Sequence, residues 1–436
     1  MSQTLIFDIG KTNKKIFIFE ADLTLVHSES HTFPERLDED GFPCDDIQAI
    51  SNWLITSFEK YIHDKTFDIQ GVNISAYGAS MVYLDPLGKV LTPLYNYLKS
   101  YPPELLNTFH QKYGHPMKVA RETASPPLQM LNSGLQIYRL KYTQSQVFDK
   151  VRWALHLPQY FSFLLTGKAL SEYTSIGCHT GLWNYESKVY HHWVIEEKID
   201  RILPPIVSSY QYVEREFANK KVQIGVGIHD SSAALIPYMR RAAKTFALLS
   251  TGTWCISLNP YTHEGLREED LQQDCLHFLR PDGGTVRAAR LFLGNEYKLQ
   301  VEKICARFDR SRQAANEMSF VESLYQRLEE APKPLFRFDS ICPKRLQPQQ
   351  TLWDSFSSFE EAYHRLILEL VKEQVKSLDR ATGNTHIEVL YLDGGFAGNK
   401  VFVNILSKQY SKVSLNVSDI PVGAALGAAM ALRVHT

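Results

Sequence analysis

The chain has 436 residues, enough for two domains with small insertions. Its composition, 44% hydrophobic and 22% charged residues, is that of an ordinary soluble globular protein. The formal net charge of −1 excludes the strongly basic surface that nucleic acids and acidic membranes attract, and no apolar run approaches the ~20 residues of a membrane span. We therefore expect neither a nucleic-acid nor a membrane partner.

The first predicted hairpin spans residues 5–19 as an apolar strand, a polar turn and a second apolar strand. Asp8 closes the first strand, where a carboxylate can position Mg²⁺. The turn offers backbone N–H groups, a lysine, a hydroxyl and an amide, from Gly10, Lys11, Thr12 and Asn13. Such a glycine-containing loop can hold a polyphosphate. An ordinary surface hairpin with a charged tip fits this stretch equally well.

The next elements complete a half-domain. We predict a strand over residues 24–32 and then a helix that Asp45 or Asp46 can cap. A further strand over residues 69–75 leads to the loop at 78–80. This βββαβ order places the loop beyond the carboxyl end of a strand, where ligands collect in open α/β sheets.

Residues from about 86 to 203 are loop-rich and aromatic, and we interpret them as an insertion. Within it, residues 151–166 predict a helix that Gly167 stops. His179 and Thr180 stand at its expected mouth. They either contact a substrate or belong to an ordinary core.

A small, glycine-spaced strand over residues 222–228 ends at His229 and Asp230. Ser231 can cap the helix that follows, from residue 232 to about 239. The carboxylate of Asp230 has two interpretations at this strand-to-helix junction. It is either a helix cap or a general base aimed into a cleft.

The second half opens, after an expected hinge at residues 240–244, with another hairpin at 245–258. Its turn is again rich in hydroxyls and contains glycine, with Thr251, Gly252 and Thr253. Two phosphate-type hairpins, one opening each half, indicate a duplicated domain facing its twin across a nucleotide cleft.

The rest of the second half is predicted as follows. Residues 261–350 are expected to be irregular, and Ser358 with Glu361 forms a capping box for a long helix. A buried strand over 388–392 runs into a glycine pair that lets backbone approach a flat ligand such as adenine. We expect a helix from about Asn399, a short strand over 413–417 and a final helix of small side chains from 423.

The cysteines and the N-terminus bear on the compartment. The six cysteines are scattered, and none forms a C-x-x-C pair or lies near a histidine pair at zinc spacing. The N-terminus passes directly into a predicted strand, without a basic-then-apolar leader. We therefore expect reduced thiols and a cytoplasmic location.

Taken in order, these motifs resemble those of the FGGY carbohydrate kinases, within the hexokinase–actin-like ATPase superfamily. They are most similar to the L-fuculokinase and L-rhamnulokinase members. The resembling segments are Asp8 to Asn13, Gly78 to Asp85, Leu164 to Gly167, Gly227 to Asp230, Ser250 to Trp254, and Asp393 to Phe396 with Asn399. Each motif is weak alone, but together they cover nearly the whole chain with sensible spacing.

The resemblance implies an α/β fold of two actin-like (ribonuclease H-like) domains of βββαβα type with an interdomain nucleotide cleft. Residues 1–241, including the insertion at about 86–203, would carry the sugar site and the base. Residues 242–436 would bind ATP. The expected activity is transfer of the γ-phosphate of ATP to a hydroxyl of a small sugar, by a monomer or homodimer.

The resemblance also implies residue roles. Asp230 would be the catalytic base and Asp8 the Mg²⁺ ligand. The nucleotide would contact Gly10, Lys11, Thr12, Asn13, Thr251, Gly252, Thr253, Gly394, Gly395 and Asn399. The sugar would contact Gly78, Ala79, Ser80, His229 and Ser231.

Three positions depart from the family pattern. Ser80 stands where L-fuculokinases and L-rhamnulokinases carry an aspartate, Phe396 replaces the third glycine of the adenosine motif, and Leu291 replaces an asparagine. An L-ketose such as L-rhamnulose or L-fuculose is the expected substrate. The alternatives are a D-xylulose, D-ribulose or polyol kinase, and a degenerate kinase acting as a sugar- or nucleotide-binding regulator.

Overall fold

The computed structural model describes residues 2–331, 333–341, 346–418 and 422–433. Its strands are β1 Gln3–Ile9, β2 Lys14–Phe19, β3 Leu25–His31, β4 Arg36–Leu37, β5 Pro43–Cys44, β6 Ile69–Ala76, β7 Met81–Leu84, β8 Trp153–His156, β9 Ser171–Glu172, β10 Trp183–Asn184, β11 Val189–Tyr190, β12 Ile206–Val207, β13 Tyr212–Phe217, β14 Lys220–Gly225, β15 Ile228–His229, β16 Phe246–Thr251, β17 Cys255–Asn259, β18 Cys275–Leu279, β19 Thr285–Leu291, β20 Val389–Gly394 and β21 Ser414–Val417. Its helices are α1 Ile47–His63, α2 Pro103–Tyr113, α3 Pro116–Glu122, α4 Ser133–Thr143, α5 Ser145–Phe148, α6 Leu157–Thr166, α7 Tyr173–Ile176, α8 His192–Glu196, α9 Asp230–Arg241, α10 Glu268–Gln272, α11 Leu293–Phe308, α12 Arg312–Asn316, α13 Glu322–Glu329, α14 Phe359–Thr382, α15 Lys400–Gln409 and α16 Gly423–Leu432.

The first large sheet has the strand order β13-β14-β6-β1-β2-β3, with β15 also paired to β6. The β1–β2 hairpin is antiparallel, and β6 runs parallel to β1 after the crossover through α1. Asp46, one of the two predicted caps, accepts the backbone N–H groups of Gln48 and Ala49 at the start of α1. The predicted βββαβ order is confirmed.

The second large sheet repeats this plan. Its order is β18-β19-β17-β16-β20-β21, with β16 antiparallel to β17 and parallel to β20. Residue pairing therefore places the 252–254 turn in the second sheet where the 10–13 turn lies in the first. The two-part α/β fold expected from the duplicated hairpins is confirmed.

The prediction that residues 261–350 are irregular is wrong for much of its described part, which contains β18, β19 and four helices, α10 to α13. In β19, a charged residue at a buried position disguises the strand. Arg287 in β19 is buried and pairs with the buried carboxylate of Asp270 at 3.0 Å. The usual alternation of polar and apolar side chains is therefore lost.

Two helix starts also differ from the predictions. Residues 153–156 form β8, antiparallel to β7, and only 157–166 are helical. Pro158 fits this start, because proline lacks the N–H that an interior helical hydrogen bond needs and suits the first helical turn. The helix after β15 starts at Asp230 itself with His229 in the cap position, so Ser231 lies inside the helix rather than capping it.

The predicted final helix of small side chains, α16, packs closely against α9 and also contacts β6 and β1 of the first sheet. A Cβ on Gly427 would lie 1.8 Å from the carbonyl oxygen of Ala233, so glycine permits this contact. Asn73 in β6 donates to the carbonyl oxygen of Ala428 at 2.9 Å. This helix of the second half therefore packs on the first sheet.

The structure also bears on the predictions about membrane spans and cysteines. Among the described residues, no helix is long and apolar enough to cross a bilayer. The cysteines at 44, 178, 255, 275 and 305 are free thiols, all buried, and Cys342 lies outside the described residues.

Candidate active site

The carboxyl ends of three neighbouring strands bring the predicted catalytic residues together. In the parallel pairs β1–β6 and β15–β6, Asp8 stands opposite Ser75, and both Ile9 and His229 stand opposite Ala76. Asp230 follows directly at the first position of α9. One edge of the first sheet therefore gathers the end of β1, the loop after β6 and the start of α9.

Asp230 is a half-buried carboxylate whose side chain is 32% exposed. Its Oδ1 accepts the backbone N–H of Ser231 at 2.6 Å and the Ser231 hydroxyl at 3.2 Å. Burial raises the pKa of Asp230 to about 6, against the opposing effect of these two hydrogen bonds. A carboxylate with a pKa near neutral is suited to accept a proton.

Asp8 is a second perturbed carboxylate. Burial and the negative charge of Asp230 raise its pKa to about 6, while Ser75 and Lys15 act in the opposite direction. This mutual repulsion indicates a local excess of negative charge. A divalent cation would relieve it, so the pair fits Mg²⁺, which binds through one or two carboxylates together with substrate phosphates.

Beyond this pair, one three-residue group among the described residues could hold a metal ion, and it lies elsewhere. It consists of Glu122, His191 and His192, in the insertion. His191 Nε2 lies 2.8 Å from a Glu122 carboxylate oxygen, and the pKa of His191 is lowered by burial.

His229 is buried, and burial lowers its pKa to about 4, so the imidazole is neutral near pH 7. Its Nε2 lies 3.3 Å from Asp230 Oδ1 and 3.1 Å from Cys178 Sγ. Its backbone N–H donates to the Thr174 hydroxyl at 3.0 Å. The predicted substrate contact His229 is therefore held rigidly beside the carboxylate.

The predicted sugar loop packs directly on His229. A Cβ on Gly78 would lie 2.6 Å from Cys178 Sγ and 3.1 Å from His229 Nε2, so only glycine fits there. Ala79 has a positive φ of 59°. Ser80 is buried, and its side chain lies near Tyr77.

Residues 178 and 179 of the insertion reach this site, and the first of them was missed. Cys178 Sγ bridges His229 Nε2 and His179 Nε2, which lies 3.3 Å away. The Thr180 hydroxyl instead donates to the carbonyl oxygen of Ile176 at 2.8 Å within its own segment. Nothing in the sequence distinguished Cys178 from the other scattered cysteines, because its role follows from the approach of Gly78.

The first phosphate-type turn is closed by the Gly10 N–H, which donates to the Asn13 carbonyl oxygen at 3.0 Å. Thr12 and Asn13 are exposed and accessible to a ligand. Lys11 is already paired, because its Nζ lies 2.7 Å from an Asp45 oxygen and 3.3 Å from a Glu35 oxygen. The backbone and the short polar side chains of this turn are therefore more accessible to a ligand than the ammonium group of Lys11.

The second phosphate-type turn is joined to the glycine pair of β20. The Thr251 hydroxyl donates to the Asp393 carbonyl oxygen at 2.5 Å and accepts the Phe396 N–H at 3.0 Å. A Cβ on Gly394, whose φ is 85°, would lie 1.9 Å from the Thr251 carbonyl oxygen. Thr251 and Gly394 therefore hold the two loops together.

A cavity of about 440 Å³ opens between these loops. Of the predicted nucleotide residues, Gly252, Thr253, Gly395 and Asn399 line it. Its other walls come from Gly294, Tyr297, Lys298, Arg312, Asn316, Phe396 and Gly398. Lys298 and Arg312 were missed because their helices fall in the stretch predicted to be irregular.

The departures at 396 and 291 are accommodated within the fold. Phe396 is buried and packs against Phe402 and Tyr297, with ring centroids 4.6 and 5.1 Å apart. Leu291 pairs with Cys255 at the end of β19 and packs against the core of the second half. Asn399 caps α15 by accepting the Phe402 N–H, as the predicted helix start required.

Two family models match the chain. The model described as the N-terminal domain of the FGGY family of carbohydrate kinases matches residues 3–236. The model described as the C-terminal domain of carbohydrate kinase FGGY matches residues 243–436.

Curated relatives at low identity carry the name rhamnulokinase. The chain is 26% identical over 267 residues to one from Halalkalibacterium halodurans, covering 59% of this chain and 56% of the relative. It is 23% identical over 301 residues to one from Klebsiella pneumoniae, covering 61% of this chain and 56% of the relative. The chain thus aligns with little more than half the length of these relatives.

Solved structures share the fold over nearly the whole chain. A carbohydrate kinase from Novosphingobium aromaticivorans has a TM-score of 0.78 at 23% identity, covering 98% of this chain and 91% of its own. A xylulose kinase from Lactobacillus acidophilus has a TM-score of 0.78 at 15% identity, covering 99% and 89%. Plasmodium falciparum glycerol kinase with ADP has a TM-score of 0.76 at 17% identity, covering 100% and 91%. At these identities the likeness concerns the fold alone.

Proposed function

Since the chain belongs to the FGGY family of carbohydrate kinases, we propose that it transfers the γ-phosphoryl group of ATP to a hydroxyl of a ketose. The observation that carries this proposal is Asp230. Asp230 lies near Asp8 at one edge of the first sheet, and burial raises the pKa of Asp230 to about 6. A protein that only binds sugar or nucleotide has no need of such a base.

In the proposed reaction, Asp230 accepts the proton of the sugar hydroxyl. Because Oδ1 is held by Ser231, we assign the proton to Oδ2. The hydroxyl oxygen then bonds to the γ-phosphorus as the bond to the β–γ bridging oxygen breaks, and ADP leaves. Phosphoryl transfer of this kind depends mainly on positioning and on stabilising charge.

Asp8 is the residue we propose for holding Mg²⁺, directly or through water. When bound, the ion would supply positive charge against the transferring phosphoryl group. The support for this assignment is the negative charge that Asp8 and Asp230 concentrate at one place.

For the nucleotide, we propose that the cavity between the 252–253 turn and the 395–399 turn takes the adenosine end of ATP. Backbone N–H groups of residues 11–13 and of Thr253 would grip the phosphates, while the N–H groups of Gly10 and Gly252 close their own turns. Thr251 and Gly394 would act by holding the loops in place, and Lys298 with Arg312 would add positive charge at the cavity wall.

For the sugar, we propose a site between the loop at 78–80, His229 and Asp230, in the part of the chain we assign as residues 1–241. The part from 242 to 436 would bind ATP. The neutral imidazole of His229 would bind a sugar hydroxyl by exchanging its contact with Cys178, and Ser231 lies beside the base. Closure of the two parts about the 240–244 segment would expel water from the reacting groups.

The sugar we favour is an L-ketose such as L-rhamnulose or L-fuculose. The motif forms around Asp230 and Thr251 support it, as do relatives named rhamnulokinase at 23–26% identity. Structural neighbours named xylulose kinase and glycerol kinase keep D-pentuloses and polyols as the alternative substrates.

An ADP-release screen over ketoses and polyols with Mg·ATP tests the proposal. We expect sugar-dependent ADP release with at least one ketose and none in its absence. Phosphorylated product should be detectable by mass spectrometry. If no sugar or polyol stimulated ADP release while the Asp230→Asn variant bound the same ligands as the wild type, the kinase proposal would be contradicted.

A further inference from the structure

The side chain of Asp45 joins the two loops that flank the proposed site. Its carboxylate accepts from Lys11 Nζ at 2.7 Å, from Lys14 Nζ at 2.9 Å and from the Tyr77 hydroxyl at 2.6 Å. We call these four residues the Asp45 cluster. Asp45 and Lys14 are nearly inaccessible, with side chains 5% and 1% exposed.

On one side, the Asp45 cluster fixes the backbone of the first phosphate-type turn. Lys14 Nζ donates both to Asp45 and to the carbonyl oxygen of Lys11, at 2.9 Å in each case. The turn is therefore tied to Asp45 through a buried ammonium as well as through Lys11. A shift of Asp45 would move the backbone groups that face the phosphates.

On the other side, the Asp45 cluster fixes the loop at 78–80. The Tyr77 hydroxyl donates to Asp45, and the Ser80 side chain lies near Tyr77. The Tyr77 N–H also donates to the carbonyl oxygen of Ile9, at 3.1 Å. Tyr77 is the residue directly before Gly78, so its position sets where the loop meets His229.

Asp45 itself is anchored outside both loops. Its backbone forms an isolated bridge with Leu94, and the next residue, Asp46, caps α1. Burial alone would raise the pKa of Asp45, but the hydrogen bonds from Lys11, Tyr77 and Lys14 outweigh it and hold the pKa below its ordinary value. The group is thus an ionised carboxylate fixed to the scaffold, with donors from both loops.

We propose that Asp45 is a positioning residue that couples the nucleotide turn to the sugar loop, so that a ligand bound at one increases affinity at the other. A phosphate at the turn competes with Asp45 for Lys11, whose ammonium is partly exposed. Asp45 then keeps Lys14 and Tyr77 as donors and holds Tyr77 more tightly, which orders the loop at 78–80. This inference rests on the proposed kinase function.

The test measures coupling rather than activity. Calorimetry gives the Kd of L-rhamnulose with and without a saturating non-hydrolysable ATP analogue and Mg²⁺. If the screen selects another ketose, that ketose replaces L-rhamnulose. For the wild type we expect the analogue to lower the sugar Kd by about 5–150-fold, the usual range of coupling between two sites.

Two variants of the Asp45 cluster and one control complete the test. Tyr77→Phe removes only the hydroxyl link and should bring the coupling factor close to one. Asp45→Asn should do the same, and circular dichroism must show that it folds, because it removes the counter-charge of buried Lys14. Asp46→Ala weakens the cap of the adjacent helix and should lower Tm with the coupling factor unchanged.

The inference would be overturned if the Tyr77→Phe variant kept the coupling factor of the wild type. It would also be overturned if the wild type bound both ligands with a coupling factor of one. A wild type that binds neither the sugar nor the nucleotide analogue would instead contradict the proposed function. A loss of coupling in Asp46→Ala equal to that in Tyr77→Phe would reduce Asp45 to a general structural role and would also overturn the inference.

Discussion

The carboxyl group of Asp8 lies near enough to Asp230 for the negative charge of Asp230 to raise the pKa of Asp8. The two residues come from different elements, the end of β1 and the first turn of α9. Neighbouring carboxylates withdrawn from water are costly unless a proton or a cation neutralises part of their charge. At this site, both a bound metal ion and a proton on one carboxylate would neutralise part of that charge.

The first prediction concerns the Asp230→Asn variant. The amide keeps the shape of the side chain but cannot accept the hydroxyl proton, so kcat should fall by about 10²–10⁴-fold. Binding of ATP and sugar should be largely kept. Steady-state kinetics and calorimetry measure the two effects separately. If the variant kept more than a tenth of the wild-type kcat, Asp230 would be a structural residue of the first helical turn and not the base.

The second prediction concerns pH. Because the pKa of Asp230 is raised to about 6, the base becomes protonated as the pH falls through that value, and kcat/KM should fall with it. The Asp8→Asn variant should retain this inflection near the wild-type position, since burial is what raises the pKa of Asp230. An activity profile that stayed flat from pH 8 to pH 5 would contradict a carboxylate base with this pKa.

The same pKa gives a third prediction, on stability. A folded-state pKa above the ordinary value means that the native protein binds extra protons between about pH 4 and pH 6, so stability is lost as the pH rises through this window. Asp230→Asn removes that penalty. Its Tm should therefore exceed the wild-type Tm above pH 6, and the difference should shrink towards pH 4. A lower Tm for the variant at pH 7.5 would show that the carboxylate contributes net structural stability.

The sequence allowed prediction of the parts of the site that lie at strand ends. Asp8 lies at the end of an apolar strand, the loop at 78–80 and Asp230 follow two others, and parallel strands bring their carboxyl ends to one edge. It did not allow prediction of Cys178 or Arg312. Cys178 reaches the site through a contact with Gly78 that joins distant segments, and Arg312 lies on a short helix within the stretch predicted to be irregular.

The prediction for β19 also failed because of contacts between distant segments of the chain. Residues 285–291 alternate poorly because Arg287 is buried against Asp270 and against the carbonyl oxygen of Arg380 at 2.7 Å. A single sequence shows the charge but not its partner. In β8, by contrast, Pro158 was a readable signal that the helix begins later than the apolar run suggests.

The fourth prediction contrasts two neighbouring glycines in the nucleotide loop. Gly394→Ala should lower Tm and weaken nucleotide binding, because its Cβ would lie 1.9 Å from the Thr251 carbonyl oxygen at a φ of 85°. Gly395→Ala is the matched control, since its Cβ would meet no atom within 4 Å. Its Tm without ligand should match the wild type, and any effect should appear only in the Kd of ATP. Equal losses of Tm in both variants would refute the proposed close contact of the loops.

The last prediction concerns Ser80 and the choice of sugar. Ser80 is 2% exposed and lies near Tyr77, whose hydroxyl donates to Asp45. An aspartate here, as in the L-fuculokinase and L-rhamnulokinase pattern, would bury a second carboxylate near Asp45. Ser80→Asp should therefore lower Tm and should not improve kcat/KM for L-rhamnulose or L-fuculose. Ser80→Ala is the control. Its free energy of unfolding should fall only by the ~0.5–1.5 kcal/mol of one hydrogen bond.

The sugar contact that Ser80 does not supply must then come from another polar group beside the base. His179 and His229, which flank Cys178, are the candidates on this side of the site. Measurement of kcat/KM for L-rhamnulose, L-fuculose, D-xylulose, L-ribulose, D-ribulose and glycerol decides the outcome. We expect an L-ketose to rank first in the wild type and the ranking to change in His179→Ala but not in Ser80→Ala. A clear preference for glycerol or a D-pentulose would contradict the L-ketose assignment, while the proposed kinase chemistry at Asp230 would stand.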